Sequence, residues 1–175
     1  MINNTVSNYR EIASLATFAQ IEQASVWYFE AQEVAEDVAE LLGASLEIGA
    51  SVVSSFSPRE RWASNVTKAY AFANGKPVIG LSNNLAMAQK SLVMGFDALN
   101  GQKTNAFARA IAGDHDAVVI DVWMIKAANL DSSKGVNKSQ YKELSKAVVT
   151  IAKELGLTPR TTQALIWIIK RGNNA

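Results

Sequence analysis

The sequence predicts an all-α protein, a compact multi-helix domain without a sheet. Three observations carry that prediction. Apolar residues recur at three- and four-residue intervals along most of the 175-residue chain, the period of one helix face. Helix punctuation stands at the ends of those stretches: Thr158-Pro159 reads as a start, and Gly43, Gly113 and Gly156 read as stops. No alternating apolar–polar run is long enough for a convincing strand. The expected organisation is a single domain over 1–175. It comprises acidic N-terminal helices (1–45), a central core (about 46–130) and a C-terminal helical pair (138–171).

Composition narrows the class. With 49% apolar residues and a formal charge of +1, the chain has enough apolar side chain for a core. It has no cysteine, which excludes disulfides, thiol nucleophiles and cysteine-held iron–sulfur clusters. No apolar run reaches the roughly 18 residues of a spanning helix, and MINNTVSNYRE lacks the order of a signal peptide. The expectation is a soluble, cytoplasmic protein with no membrane partner. Charge is segregated along the chain. Residues 1–57 hold one basic and eight acidic residues, residues 58–120 seven and four, and residues 121–175 nine and four. An acidic beginning followed by a basic remainder suits a protein that turns one side to a polyanion, although each charge alone reads equally as a solvated helix face.

The elements follow in order. Residues 8–22 are expected to form a first helix. Residues 24–42 form a second, with Val26, Phe29, Val34, Val38, Leu41 and Leu42 apolar and Glu33, Glu36, Asp37 and Glu40 on the other face. Tyr28 and Glu30 within it are pocket candidates, but aromatics at helical spacing are more often core. Residues 46–56 are small and apolar nearly all round, the mark of a buried central helix. Ser57-Pro58-Arg59-Glu60 has the pattern of a capping box with proline at the first helical position, opening a helix that ends near Asn74-Gly75. Arg59 and Arg61 are candidate phosphate contacts. Trp62 is either core or a base-stacking wedge. Residues 76–84 read as a loop containing Asn83, and the next helix ends near Gly95. Leu130 to Asn137 is polar and turn-rich. Tyr141, Leu144, Val148, Ile151, Ala152 and Leu155 then line an amphipathic helix, and Thr158 caps the last one.

The chain is organised around Leu99 to Met124, LNGQKTNAFARAIAGDHDAVVIDVWM. Asn100-Gly101 is a tight-turn signal, because both residues tolerate positive φ. Lys103 follows, then Thr104, Phe107, Ala108 and Ile111 on one helical face. The apolar run Ala117 to Val122, interrupted by Asp121, leads into another helix with Asp121 at its start. Asp114-His115-Asp116 invites a metal reading, but consecutive loop residues seldom converge on one ion, so no metal site is expected.

Gly101-Gln102-Lys103-Thr104 and Val119-Ile120-Asp121-Val122, in that order and spacing, resemble the helix-hairpin-helix DNA glycosylase superfamily, the endonuclease III-like group. Weaker likenesses are Phe56-Ser57-Pro58-Arg59 and Ile79-Gly80-Leu81-Ser82-Asn83. The resemblance covers roughly residues 48–130, and the chain is also similar to phage-encoded proteins, which would place it in a bacterial host cell. The resemblance implies a helix-hairpin-helix motif in the central core and a DNA partner. It also implies base excision, with Lys103 as nucleophile and Asp121 assisting, as in lyase-competent members. Asn100, Gly101, Gln102, Thr104, Arg59, Arg61 and Asn83 would contact DNA, and Tyr28, Glu30, Trp62 and Trp123 are candidates for a base pocket. No cofactor is expected. The family hairpin usually carries two glycines where this chain has Gly101 alone.

The chemistry sets the requirements. At neutral pH only about one unperturbed lysine in a few thousand is an uncharged nucleophile. A neutral Lys103 amine would attack the sugar C1′ as the base departs and form a Schiff base. Asp121 would take the proton or stabilise the cationic sugar. Backbone N–H groups from Asn100 to Lys103 would hold a phosphate. Singly, a lysine after a turn is ordinarily solvated and an aspartate at a helix start is ordinarily a cap. Three readings therefore stand: a DNA glycosylase with or without lyase activity, a non-catalytic DNA binder, and a protein-interaction module using the acidic N-terminal helices.

Overall fold

A computed structural model describes residues 2–172. Among them are helices α1 (Ile2–Ser14), α2 (Phe18–Leu42), α3 (Leu46–Ser55), α4 (Trp62–Ala73) and α5 (Ser82–Met94). A 3-10 turn (Gly95–Ala98) precedes α6 (Gln102–Ile111), α7 (Val122–Ala127), α8 (Lys138–Leu155) and α9 (Pro159–Arg171). The described residues contain no strand, as the periodicity predicts. No single helix among them is long and apolar enough to cross a membrane. The packing gathers the chain into two compact units, Met1–Tyr28 with His115–Ala175 and Phe29–Asp114.

In the first unit α1, α7, α8 and α9 pack around Tyr9, Met124, Leu144, Val148, Ile151 and Ile166, all nearly or wholly buried. Each large aliphatic side chain so buried contributes about 1.5–3 kcal/mol. The helix ends are set locally. Asn137 accepts from Gln140 N (2.9 Å) while Gln140 Oε1 accepts from Asn137 N (2.9 Å), a capping box that starts α8. Gly156, at φ +67°, ends it. Thr158 Oγ1 accepts from Thr161 N (3.1 Å), and Pro159 opens α9. Between α6 and α7 the apolar run Ala117–Ile120 is irregular and buried rather than helical. Its polar backbone is satisfied by a side chain: the Tyr141 hydroxyl donates to Val118 O (2.9 Å) and accepts from Ile120 N (3.1 Å).

In the second unit α3 is the centre, packed against α4, α5 and α6. Gly49 through Ser55 are all buried, as the all-round apolar composition predicts. Its serines are satisfied without water: Ser51 donates to Glu47 O (2.7 Å), Ser55 to Ser51 O (2.8 Å) and Ser54 to Thr104 O (2.7 Å). Gly49 allows an unusually close crossing with α2. A Cβ there would lie 2.1 Å from Ala35 O and 2.9 Å from Ala39 Cβ.

Four local expectations are corrected. The helix expected over 8–22 is two helices, because Thr17 and Gln20 exchange capping hydrogen bonds (2.9 and 3.3 Å) and restart the chain at Phe18. The buried face of α2 is mostly alanine rather than its large apolar residues. Ala31, Ala35, Val38 and Ala39 are buried, whereas Val26, Phe29 and Leu41 are about half exposed. At the Gly49 crossing itself the facing residues are Ala35 and Ala39. Ser57 does not cap α4. Arg59 adopts φ +63°, which a helix cannot pass, and α4 starts at Trp62 after Arg61. Glu60 instead reaches forward to Lys68 and to Ser64 (2.8 Å). Finally, Asn83 lies in the exposed first turn of α5, not in a loop.

Candidate functional site

Lys103 and its neighbours belong to the second unit, and Asp121, Tyr28 and Trp123 to the first. The two groups are therefore described separately.

The turn before α6 differs from the expected one. Gly101 has φ −87° and ψ 134°, ordinary extended backbone, and stands as the N-cap of α6. The left-handed glycine is Gly95, at φ +52°. The Glu47 side chain packs against it and accepts from Phe96 N (3.2 Å). Leu99 is buried, while Asn100, Gly101 and Gln102 are exposed. Gly101 brings no side chain to the first-turn N–H groups of α6, which in a helix have no partner inside it. Thr104 is turned inward: it is buried, its hydroxyl donates to Gly101 O (3.0 Å), and its carbonyl accepts from Ser54. That removes it from any DNA-facing surface. Lys103, in the first turn of α6, is half-buried, and its ammonium makes no hydrogen bond or ion pair among the described residues. Trp62 is half-buried, its ring edge-on to Phe107 with centroids 6.2 Å apart, which is a packing contact. Arg59, Arg61, Asn83 and Glu30 are exposed.

In the first unit Asp121 caps α7 as its sequence position predicts. Oδ1 accepts from Trp123 N (2.9 Å) and Met124 N (3.0 Å). Oδ2 accepts from the indole N–H of Trp167 (2.9 Å). Both oxygens are thus committed to holding α7 and α9 together. Trp123 is half-buried beneath the Lys126 ammonium, 4.6 Å from its ring centre.

Tyr28 joins an array that sequence reasoning missed. Its hydroxyl donates to Gln163 Oε1 (2.7 Å), its ring meets Trp27 edge-on (4.7 Å), and Trp27 lies 5.8 Å from Trp167. The Arg160 guanidinium sits 5.4 Å from the Tyr28 ring, and its Nη2 lies 3.2 Å from His115 Nδ1. Arg160, Thr162 and Gln163 are all buried at the start of α9. The available signal was three polar residues in the first turns of a helix that is otherwise apolar on its inner face. Burial, with the Asp121 charge adding to it, raises the Tyr28 and Tyr9 phenols well above their ordinary values, and burial pushes Tyr141 up to about 12. These phenols are hydrogen-bond donors at neutral pH, not acids. A guanidinium against His115 is unsuited to a cation site, and no group of three or more metal-ligating residues occurs among the described residues.

The chain belongs to DUF7178, a family of unknown function, whose model matches residues 1–174. No curated protein and no solved structure matches it.

Proposed function

We propose that this DUF7178 protein binds DNA, with the start of α6 receiving a backbone phosphate. One observation carries the reading: α6 opens on a glycine cap that supplies no side chain, and in its first turn lies a half-buried lysine with no partner among the described residues. Backbone N–H groups at a helix start and an adjacent ammonium are the two parts of a phosphate contact. Exposed Asn100, Gln102, Arg59 and Arg61 in the same unit are further polar donors. The basic balance of residues 58–175 agrees with a polyanionic partner.

A second reading adds catalysis. Lys103 with no partner is also what a glycosylase/lyase nucleophile requires, since an amine already engaged would have to be released before attack. Asp121 speaks for the non-catalytic form, because its oxygens already hold two backbone N–H groups and an indole.

One experiment with two variants tests both readings. DNA affinity should fall steeply as salt rises. Gly101→Asp should weaken binding by placing a carboxylate where the phosphate sits, while itself capping α6. Salt-independent binding, or no binding, would defeat the DNA reading. Borohydride trapping on abasic, oxidised, uracil-containing and hypermodified oligonucleotides then decides catalysis. Trapping by the wild type that Lys103→Gln abolishes supports the enzyme; equal trapping by both, or none, removes it.

A further inference from the structure

In the first unit the outer face of α8 and the irregular segment before α7 border an open groove of about 600 Å³. Its lining includes Val118, Tyr141, Lys142, Ser145, Lys146 and one carboxylate, Asp116. Lys142 and Lys146 are exposed and one helical turn apart, and Lys138, also exposed, stands one turn further back. At about 1.5 Å per residue these three ammonium groups are spaced roughly 6 Å along the helix axis. Ser145 between them is half-buried, and its hydroxyl makes no hydrogen bond among the described residues.

The chemistry of the lining selects its occupant. A protein partner anchors through apolar side chains that enter an apolar pocket. Here Val118 and Tyr141 are already buried, at 7% and 9% exposure, and the Tyr141 hydroxyl is engaged by the Val118 and Ile120 backbone. Besides the exposed Asp116 carboxylate and the half-buried Val149, what remains open is a row of ammonium groups and hydroxyls, Lys142 and Lys146 with Ser145 and Thr150. That set matches phosphate oxygens, which take most protein–DNA hydrogen bonds and are met by Lys and Ser side chains. Each DNA strand carries one charge per about 3.4 Å of duplex axis, so lysines about 6 Å apart match roughly every second phosphate along that axis. We infer that this groove is a second nucleic-acid contact, a track for a phosphate backbone along α8, separate from the start of α6. It rests on the DNA reading and extends it to the first unit.

The test is fluorescence anisotropy of the full chain with a short labelled DNA duplex and the matching single strand, over a salt series. Lys142→Gln/Lys146→Gln should weaken binding about tenfold at physiological salt and reduce the salt slope by about two, one per lost contact. Lys142→Glu/Lys146→Glu should weaken it further. Both side chains are exposed, and an unchanged far-ultraviolet spectrum establishes that the variants fold. Wild-type binding that the folded variants retain, with the same slope, overturns the groove and leaves the DNA reading intact. No binding by the wild type at low salt overturns both. Displacement of the DNA by polyglutamate as readily as by unlabelled single strand, per charge, overturns the nucleic-acid assignment in favour of an acidic protein partner.

Discussion

Asp121→Asn separates a structural aspartate from a catalytic one. Asparagine equals aspartate as an N-cap, so by the cap alone the substitution would be silent. The geometry says otherwise. Asp121 accepts two backbone N–H groups on one oxygen and the Trp167 indole N–H on the other, all at 2.9–3.0 Å. Asparagine has one acceptor oxygen. If it faces the α7 backbone, its NH2 faces the indole N–H, donor against donor. The indole then loses a hydrogen bond to a charged acceptor, worth about 1.5–3 kcal/mol. Trp167 and Asp121 are both half-exposed, so water recovers part of that, and the expected loss is about 1–2 kcal/mol. In a protein of this size that is roughly 2–8 °C of melting temperature. Urea unfolding followed by far-ultraviolet circular dichroism measures it. In a Trp167→Phe background the donor is gone, and Asp121→Asn should then cost only a few tenths of a kcal/mol, a coupling of about 1 kcal/mol or more. A loss under about 0.5 kcal/mol in the parent, or the same loss in both backgrounds, would refute the bridging role.

Two further outcomes follow from the packing. Gly49→Ala should destabilise by about 1–3 kcal/mol, because a methyl 2.1 Å from Ala35 O forces α2 and α3 apart and outweighs a helix-propensity gain of at most about 1 kcal/mol; an unchanged or raised melting temperature would contradict the close crossing. The buried tyrosines set the alkaline limit. With Tyr9 and Tyr28 raised and Tyr141 at about 12, their stabilisation is complete below the unfolded value near 10 and is lost as pH climbs toward the folded values. Phenolate absorbance from these residues should therefore grow together with loss of helix, and full titration near pH 10 with the helices intact would contradict their burial.

Much of the architecture is local and so was open to reading from the residues. The helical period of Tyr141 to Ala152, the stop at Gly156, the Thr158-Pro159 start and the Asp121 cap each depend on side chains within a few positions, and each stands where expected. The burial of Gly49 to Ser55 within the expected stretch 46–56 was legible for the same reason, since a helix apolar nearly all round has nowhere to go but the core. Tertiary packing decided the rest. Which face of α2 goes inward depends on how closely α3 approaches, and that is set by the missing side chain at Gly49, so alanines are buried while Phe29 stays at the surface. Ser57-Pro58-Arg59-Glu60 satisfies every local rule for a helix start, yet Glu60 finds Lys68 and Ser64 and the chain turns at Arg59 instead. Asp121 shows both levels in one residue. Its bonds to Trp123 and Met124 lie within three positions and follow from the order of the chain. Its bond to Trp167 spans 46 positions, and only the docking of α9 brings that indole to the second oxygen.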